Sequence, residues 1–203
     1  MKLITLSIAG LSLLICQTTL AAGIYADLSI GHSDFPSVGI NDTDFTSHED
    51  TSSVSFSFSG GYSFNEYFSF EIAYNDLGNY SQEIEFNIFP FSEGPNSVLE
   101  SDLTSTSFAF IPSCPVSEKW SLYAKLGQHS WDAKTKGKSA SYENGNFVGF
   151  ETTKLTKSDR DTFFGVGAAV QLTENFLGKI SVIQYKVADE ETDNISISIG
   201  YRQ

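Results

Sequence analysis

Residues 53–59 read Ser53-Val54-Ser55-Phe56-Ser57-Phe58-Ser59, a strict alternation of large apolar and small polar side chains. Successive side chains of a β-strand point to opposite faces, so Val54, Phe56 and Phe58 share one face and the serines share the other. One face seeks hydrocarbon; the other seeks water or a polar interior.

The pattern recurs, less purely, in eight segments near 24–31, 53–62, 67–76, 103–111, 120–129, 162–172, 176–185 and 194–202. Each is about the length that crosses a bilayer when tilted. Apolar sets hold one parity: Ile24, Ala26, Leu28 and Ile30; Phe68, Phe70, Ile72 and Tyr74; Phe164, Val166, Ala168, Val170 and Leu172; Ile195, Ile197, Ile199 and Tyr201. The opposite parity carries Asp27, Ser29, Glu71, Asn75, Lys125, Gly165, Gly167, Lys179, Ser196, Ser198 and Arg202. The fourth and seventh sets are weaker, with the hydroxyls of Thr104 and Thr106 in one and Gly178 interrupting the other. Connections alternate between long (32–52, 77–102, 130–161) and short (63–66, 112–119, 173–175), and 186–193 is a compact last outer connection. That asymmetry predicts an all-β, eight-stranded antiparallel up-and-down transmembrane β-barrel, with short periplasmic turns, longer external loops and both termini on the periplasmic side.

Lys2, the apolar run 3–16 and the small residues Ala21, Ala22 and Gly23 have the layout of a cleaved signal peptide over 1–22, leaving a barrel over 23–203. Cys16 follows Ile15, where bacterial lipidation wants a small residue, so it reads as part of the signal core. Cys114 then remains alone, and the barrel must hold without an intramolecular disulfide. No other apolar run is long enough for a transmembrane helix. The formal charge is −13, which disfavours nucleic acid as a partner. Many acids, among them Asp34, Asp42, Asp44, Glu49 and Asp50, lie in connections and read as solvated loop residues. Tyr25, Tyr62, Tyr67, Phe68, Trp120, Phe176 and Tyr201 fall near strand ends on the short-turn side, the position of an interfacial aromatic girdle.

Three stretches carry a family resemblance: Trp120-Ser-Leu-Tyr-Ala-Lys-Leu-Gly127, Phe164-Gly-Val-Gly-Ala-Ala-Val-Gln-Leu-Thr-Glu-Asn175 and Asp193-Asn-Ile-Ser-Ile-Ser-Ile-Gly-Tyr-Arg202. Through them the chain resembles the OmpA-type outer-membrane barrels. The likeness spans nearly all of the sequence after the signal and is strongest after Pro112. It implies a bacterial outer-membrane protein, inserted by the barrel insertion machinery and surrounded by outer-membrane lipid and lipopolysaccharide. Many members carry a peptidoglycan-binding domain after the barrel; residues 23–203 are taken up by the barrel, so that activity is not expected here. Members commonly end in an aromatic residue that the insertion machinery recognises, where this chain has Gln203, with Tyr201, Ile199 and Ile197 keeping outward parity. Lys179 and Ser181 stand where the family often has an inward Arg and an acid.

An eight-stranded barrel is just wide enough for side chains to fill. Asp27, Glu71, Lys125, Lys179 and Arg202 should therefore face one another as a charge network, with Glu71 and Lys125 the best candidates for a central pair. A proton or ion path would use similar residues, and a narrow channel for small solutes is the alternative reading. His32, His48 and His129 have no metal-ligand spacing, and no metal or cofactor is expected. His129 beside Ser130 offers a base next to a hydroxyl, but neighbouring strand residues face opposite ways and no nucleophile-elbow motif occurs, so a lipid-modifying enzyme is a lesser alternative. Lys134, Lys136 and Lys138 could meet lipopolysaccharide phosphates at the outer rim. The expected role is structural or one of surface interaction, with the external loops meeting an extracellular partner.

Overall fold

The computed structural model describes residues 22–36, 45–86, 97–143 and 146–203. The expected signal segment, apart from Ala22, lies outside the described residues, as do Asp42 and Asp44. Nine strands follow in order: β1 (Gly23–Asp34), β2 (Phe45–Asp50), β3 (Ser52–Ser63), β4 (Phe68–Phe86), β5 (Ser97–Pro115), β6 (Trp120–Glu143), β7 (Asn146–Gln171), β8 (Phe176–Val187) and β9 (Glu190–Arg202). Antiparallel pairing runs β4-β3-β1-β9-β8-β7-β6-β5 and back to β4, which closes an eight-stranded barrel. Among the described residues β2 pairs only with β4, and it continues the line of β3 past Thr51. Closure leaves no sheet edge in the hydrocarbon, where unpaired backbone groups would be costly.

The alternation seen in the sequence sets the wall. Ile24, Leu28, Phe56, Phe58, Ile72, Val166, Ile197 and Ile199 all lie outward and exposed on the isolated chain, where lipid supplies their apolar surroundings. Glu71 is 3 % exposed and its neighbour Ile72 is 61 % exposed, so one residue step separates lumen from lipid. Ile72→Arg should therefore destabilise the barrel by roughly 2–4 kcal/mol if the site lies near the bilayer midplane. Ser69→Thr on the inner face should be mild. Urea unfolding in lipid vesicles gives both values; equal small losses would contradict the register.

The short turns share a device. Asn65 Oδ1 accepts from the backbone N–H groups of Tyr67 and Phe68, Ser117 Oγ from that of Trp120, and Thr173 Oγ1 from that of Phe176. A short polar side chain thus satisfies the backbone as the chain reverses. At the other end, β8 and β9 join through Ala188 and Asp189, both at positive φ (53° and 73°), as a tight two-residue hairpin requires.

The long connections differ from expectation. Much of 77–102 and nearly all of 130–161 is strand, and the upper halves of β4, β5, β6 and β7 rise past the ends of β1, β8 and β9 as one sheet, with β2 on its flank. In β4 this extension begins at an irregularity, where Gly78 adopts φ +90° and a Cβ would press on the Ser53 side chain and the Val54 carbonyl.

Candidate functional site

The interior is layered along the barrel axis. Nearest the short turns, Tyr25, Lys125, Lys179 and Arg202 help line a cavity of about 70 Å³. Tyr25 was expected in the outer girdle, but its odd parity on β1 turns it inward, leaving it 4 % exposed. Tyr62, Phe68, Trp120, Phe176 and Tyr201 do face outward at that end. The Tyr25 ring lies over Gly61 and the Tyr123 ring over Gly167, close enough that a Cβ at either glycine would collide with the phenol. Gly61→Ala should cost about 1–3 kcal/mol by overpacking. The same change at Gly137, whose Cβ would meet only Leu99 at 3.6 Å, should cost little; thermal melting of the two variants makes the comparison.

Above that cavity stand the charges. Lys125 Nζ donates to Glu71 Oε1 at 2.6 Å, and the Tyr25 hydroxyl donates to Glu71 Oε2 at 3.2 Å. Lys179 Nζ donates to Asp27 Oδ2 at 2.7 Å and sits 4.8 Å from the centre of the Tyr25 ring. Both carboxylates are buried, and these are charge-assisted bonds in a low-dielectric interior. The structure thus joins four of the five inward charges as two pairs. Arg202 stays outside both, and its Nε is closed off from solvent without a hydrogen-bond partner.

A hydroxyl and amide layer follows. Asn75 Nδ2 donates to Ser105 Oγ and Ser107 Oγ, each at 3.2 Å, and Asn194 Nδ2 donates to Ser33 Oγ at 2.9 Å and Ser55 Oγ at 2.6 Å. Each amide bridges strands through the small serines that the sequence alternation placed inward.

The outer end is closed by apolar packing that the sequence reading missed. Leu77, Leu103, Trp131, Phe163, Ile183 and Tyr185 are buried together, with Phe35, Ala133 and Val187 against them. Trp131 Nε1 donates to Asp161 Oδ2 at 2.9 Å, which satisfies the one polar atom of the indole. His129 is 1 % exposed, edge-on to Tyr185 and Phe163, with Nε2 2.8 Å from the Lys186 carbonyl oxygen. Ser130 is exposed on the opposite face, so the two do not form a base–nucleophile pair.

The protruding sheet has two chemical faces. Lys134, Lys136 and Lys138 lie on the outward face of β6, opposite Thr156, Lys154 and Thr152 of β7 on one side and Asp102, Glu100 and Val98 of β5 on the other. Lys136 opposes Lys154 directly, a like-charge pair that β-ladders disfavour. Lys136 Nζ lies 3.9 Å from Asp102 Oδ2, and Lys138 caps the Phe150 ring at 4.3 Å. On the inner side, burial and then the Glu49 carboxylate raise the Tyr80 hydroxyl above its ordinary pKa. β8 pairs with β7 only from Phe163 onward, so among the described residues 146–162 of β7 pair with β6 alone. Every residue from 151 to 160 is exposed. Of the loop histidines and acids, His32 Nε2 lies 3.5 Å from Asp34 Oδ1, the His48 side chain is outside the described residues, and no metal-holding cluster occurs among those described.

A closed wall, a girdle and a filled interior identify the architecture, and the sequence agrees. The profile of the outer membrane protein beta-barrel domain matches residues 3–202. The chain belongs to that family of bacterial outer-membrane barrels. Similar solved structures include Neisserial surface protein A (TM-score 0.52, 14 % identity, covering 90 % of this chain and 99 % of that one) and OprG from Pseudomonas aeruginosa (TM-score 0.52, 11 % identity, 90 % and 96 %). Ail, the attachment invasion locus protein of Yersinia pestis, is similar at a TM-score of 0.50 and 19 % identity over 90 % of this chain and 100 % of that one. Among curated proteins none matches. At these identities the likeness speaks for the fold.

Proposed function

We propose that this outer-membrane barrel is a non-catalytic display scaffold whose working surface is the protruding sheet. The observation that carries this is a contrast: apolar packing fills the outer end of the lumen, while the β7 edge above it is unpaired along its length among the described residues. An open strand edge is a template for an extended segment of another chain. An extracellular protein partner bound there would gain backbone hydrogen bonds, with Lys154, Lys157 and Arg160 beside them to select acidic sequences. Lower on the wall, lipid covers the apolar band, and the Lys134, Lys136 and Lys138 face suits lipopolysaccharide phosphates.

A narrow channel would need the Trp131 layer and both ion pairs to part together, and the packing gives no reason for that. The test replaces 133–157 with an Asn-Gly turn, which removes Lys154 and Lys157 with most of the ribbon and leaves the membrane wall whole. Cells carrying this variant should keep a barrel whose gel mobility shifts on heating and lose adherence to surfaces and to other cells relative to the intact protein. Planar bilayers containing the intact protein should show no discrete current steps. Adherence unchanged by the deletion, or regular conductance steps from the intact chain, would refute the display reading.

A further inference from the structure

In the charged layer at the short-turn end two carboxylates, Asp27 and Glu71, face three cations, Lys125, Lys179 and Arg202, with Glu118 and Lys119 of the turn lining the same cavity. The two lysines are each committed to a carboxylate at 2.6 and 2.7 Å. Arg202 is left over. Its Nε is closed off from solvent without a hydrogen-bond partner. The backbone holds it in place, since Arg202 N–H donates to the Asn175 carbonyl at 2.8 Å and Asn175 Nδ2 donates to the Arg202 carbonyl at 2.9 Å. The side chain is therefore not carried away by a frayed strand end.

Asp27 attracts the guanidinium across the layer but makes no hydrogen bond to its Nε. Its Oδ2 is taken by Lys179, and its Oδ1 lies against Gly200, where a Cβ would collide with the carboxylate. A guanidinium cannot shed its proton, and one held partly out of water without a close counter-charge favours an anion beside it. Arg202, Lys125 and Lys179 all line the cavity of about 70 Å³ at the short-turn end, together with the hydroxyl-bearing Tyr25 and the amide of Gln171. One water needs roughly 10–15 Å³ of such space, so the cavity admits several waters or one four-oxygen anion.

We propose that this cavity binds a phosphate-class oxyanion, with the Arg202 fork as its main ligand and Lys119 as a second cation of its wall. Planar guanidinium donors match phosphate oxygens in pairs. Glu118, Lys119 and Trp120 line the cavity's turn side, next to the outward aromatics that mark the membrane boundary. The phosphate could accordingly be free inorganic phosphate or the headgroup of a phospholipid in the adjoining leaflet.

The test uses the refolded full chain in a phosphate-free maltoside detergent. Inorganic phosphate is titrated calorimetrically in one arm, and short-chain phosphatidylglycerol is titrated in mixed micelles in the other. Saturable one-site binding is expected, weakened at least tenfold by Arg202→Gln and unaffected by Lys186→Gln on the exterior. Binding to inorganic phosphate assigns the free anion, and binding in the lipid arm alone assigns the headgroup. Arg202→Lys, which keeps the charge and removes the fork, covers failure of the Gln variant to fold and should still weaken binding several-fold. No saturable binding in either arm, or binding indifferent to both Arg202 variants, would overturn the site.

Discussion

Glu71→Gln should lower the stability of the folded barrel by about 3–5 kcal/mol, because it leaves Lys125 buried with its counter-charge removed. Asp27 is already paired, its Oδ2 receiving Lys179 at 2.7 Å and its Oδ1 closed off against Gly200. Lys125→Met alone should be similarly harmful, since Glu71 would keep only the 3.2 Å hydrogen bond from Tyr25. Together, Glu71→Gln and Lys125→Met should recover much of the loss, as an apolar and a neutral polar group need no charge compensation. Equilibrium unfolding in vesicles of the four proteins forms a double-mutant cycle. Strictly additive effects would show that the 2.6 Å contact carries no coupling, and the layered account of the lumen would lose its middle.

Trp131→Ala should cost about 3–5 kcal/mol, the range for removing a large aromatic from a packed core. The indole is 1 % exposed, and its N–H is the partner of Asp161 Oδ2, which also receives the Ala188 N–H at 3.4 Å. Removal thus opens a void and loosens the β8–β9 hairpin at once. Trp131→Phe should retain most of the packing and lose roughly 1 kcal/mol for the missing hydrogen bond. If alanine and phenylalanine were equally mild, the outer layer would be loose filling rather than a core.

What the sequence revealed and concealed follows from where the solvent changes. Within the membrane one strand face meets lipid, so Phe56, Ile72 and Ile197 announce their parity, and the inward set of Asp27, Glu71, Lys125, Lys179 and Arg202 could be read from the same alternation. The choice of partners could not, because it depends on strand stagger: Asp27 and Lys179 lie 152 positions apart and meet only through β1, β9 and β8. Beyond the bilayer the outward residues of β6 turn to Asp132, Lys134 and Lys136. That change marks the membrane boundary, and in the sequence alone it reads as the end of the strand. Trp131 and Leu77 consequently fall in the long connections of the sequence reading, although each keeps the inward phase of its strand. Tyr25 shows the converse error: its height on the barrel suited a girdle, and its parity placed it in the lumen.

Cysteine accessibility on intact cells tests the display orientation most directly. In a Cys114→Ser background, Lys154→Cys on the protruding β7 edge and Glu118→Cys in a short turn are each exposed to a membrane-impermeant maleimide. The account predicts labelling of the first on intact cells and of the second only after the outer membrane is permeabilised. Labelling at Glu118→Cys on intact cells with protection at Lys154→Cys would place the sheet in the periplasm and contradict it.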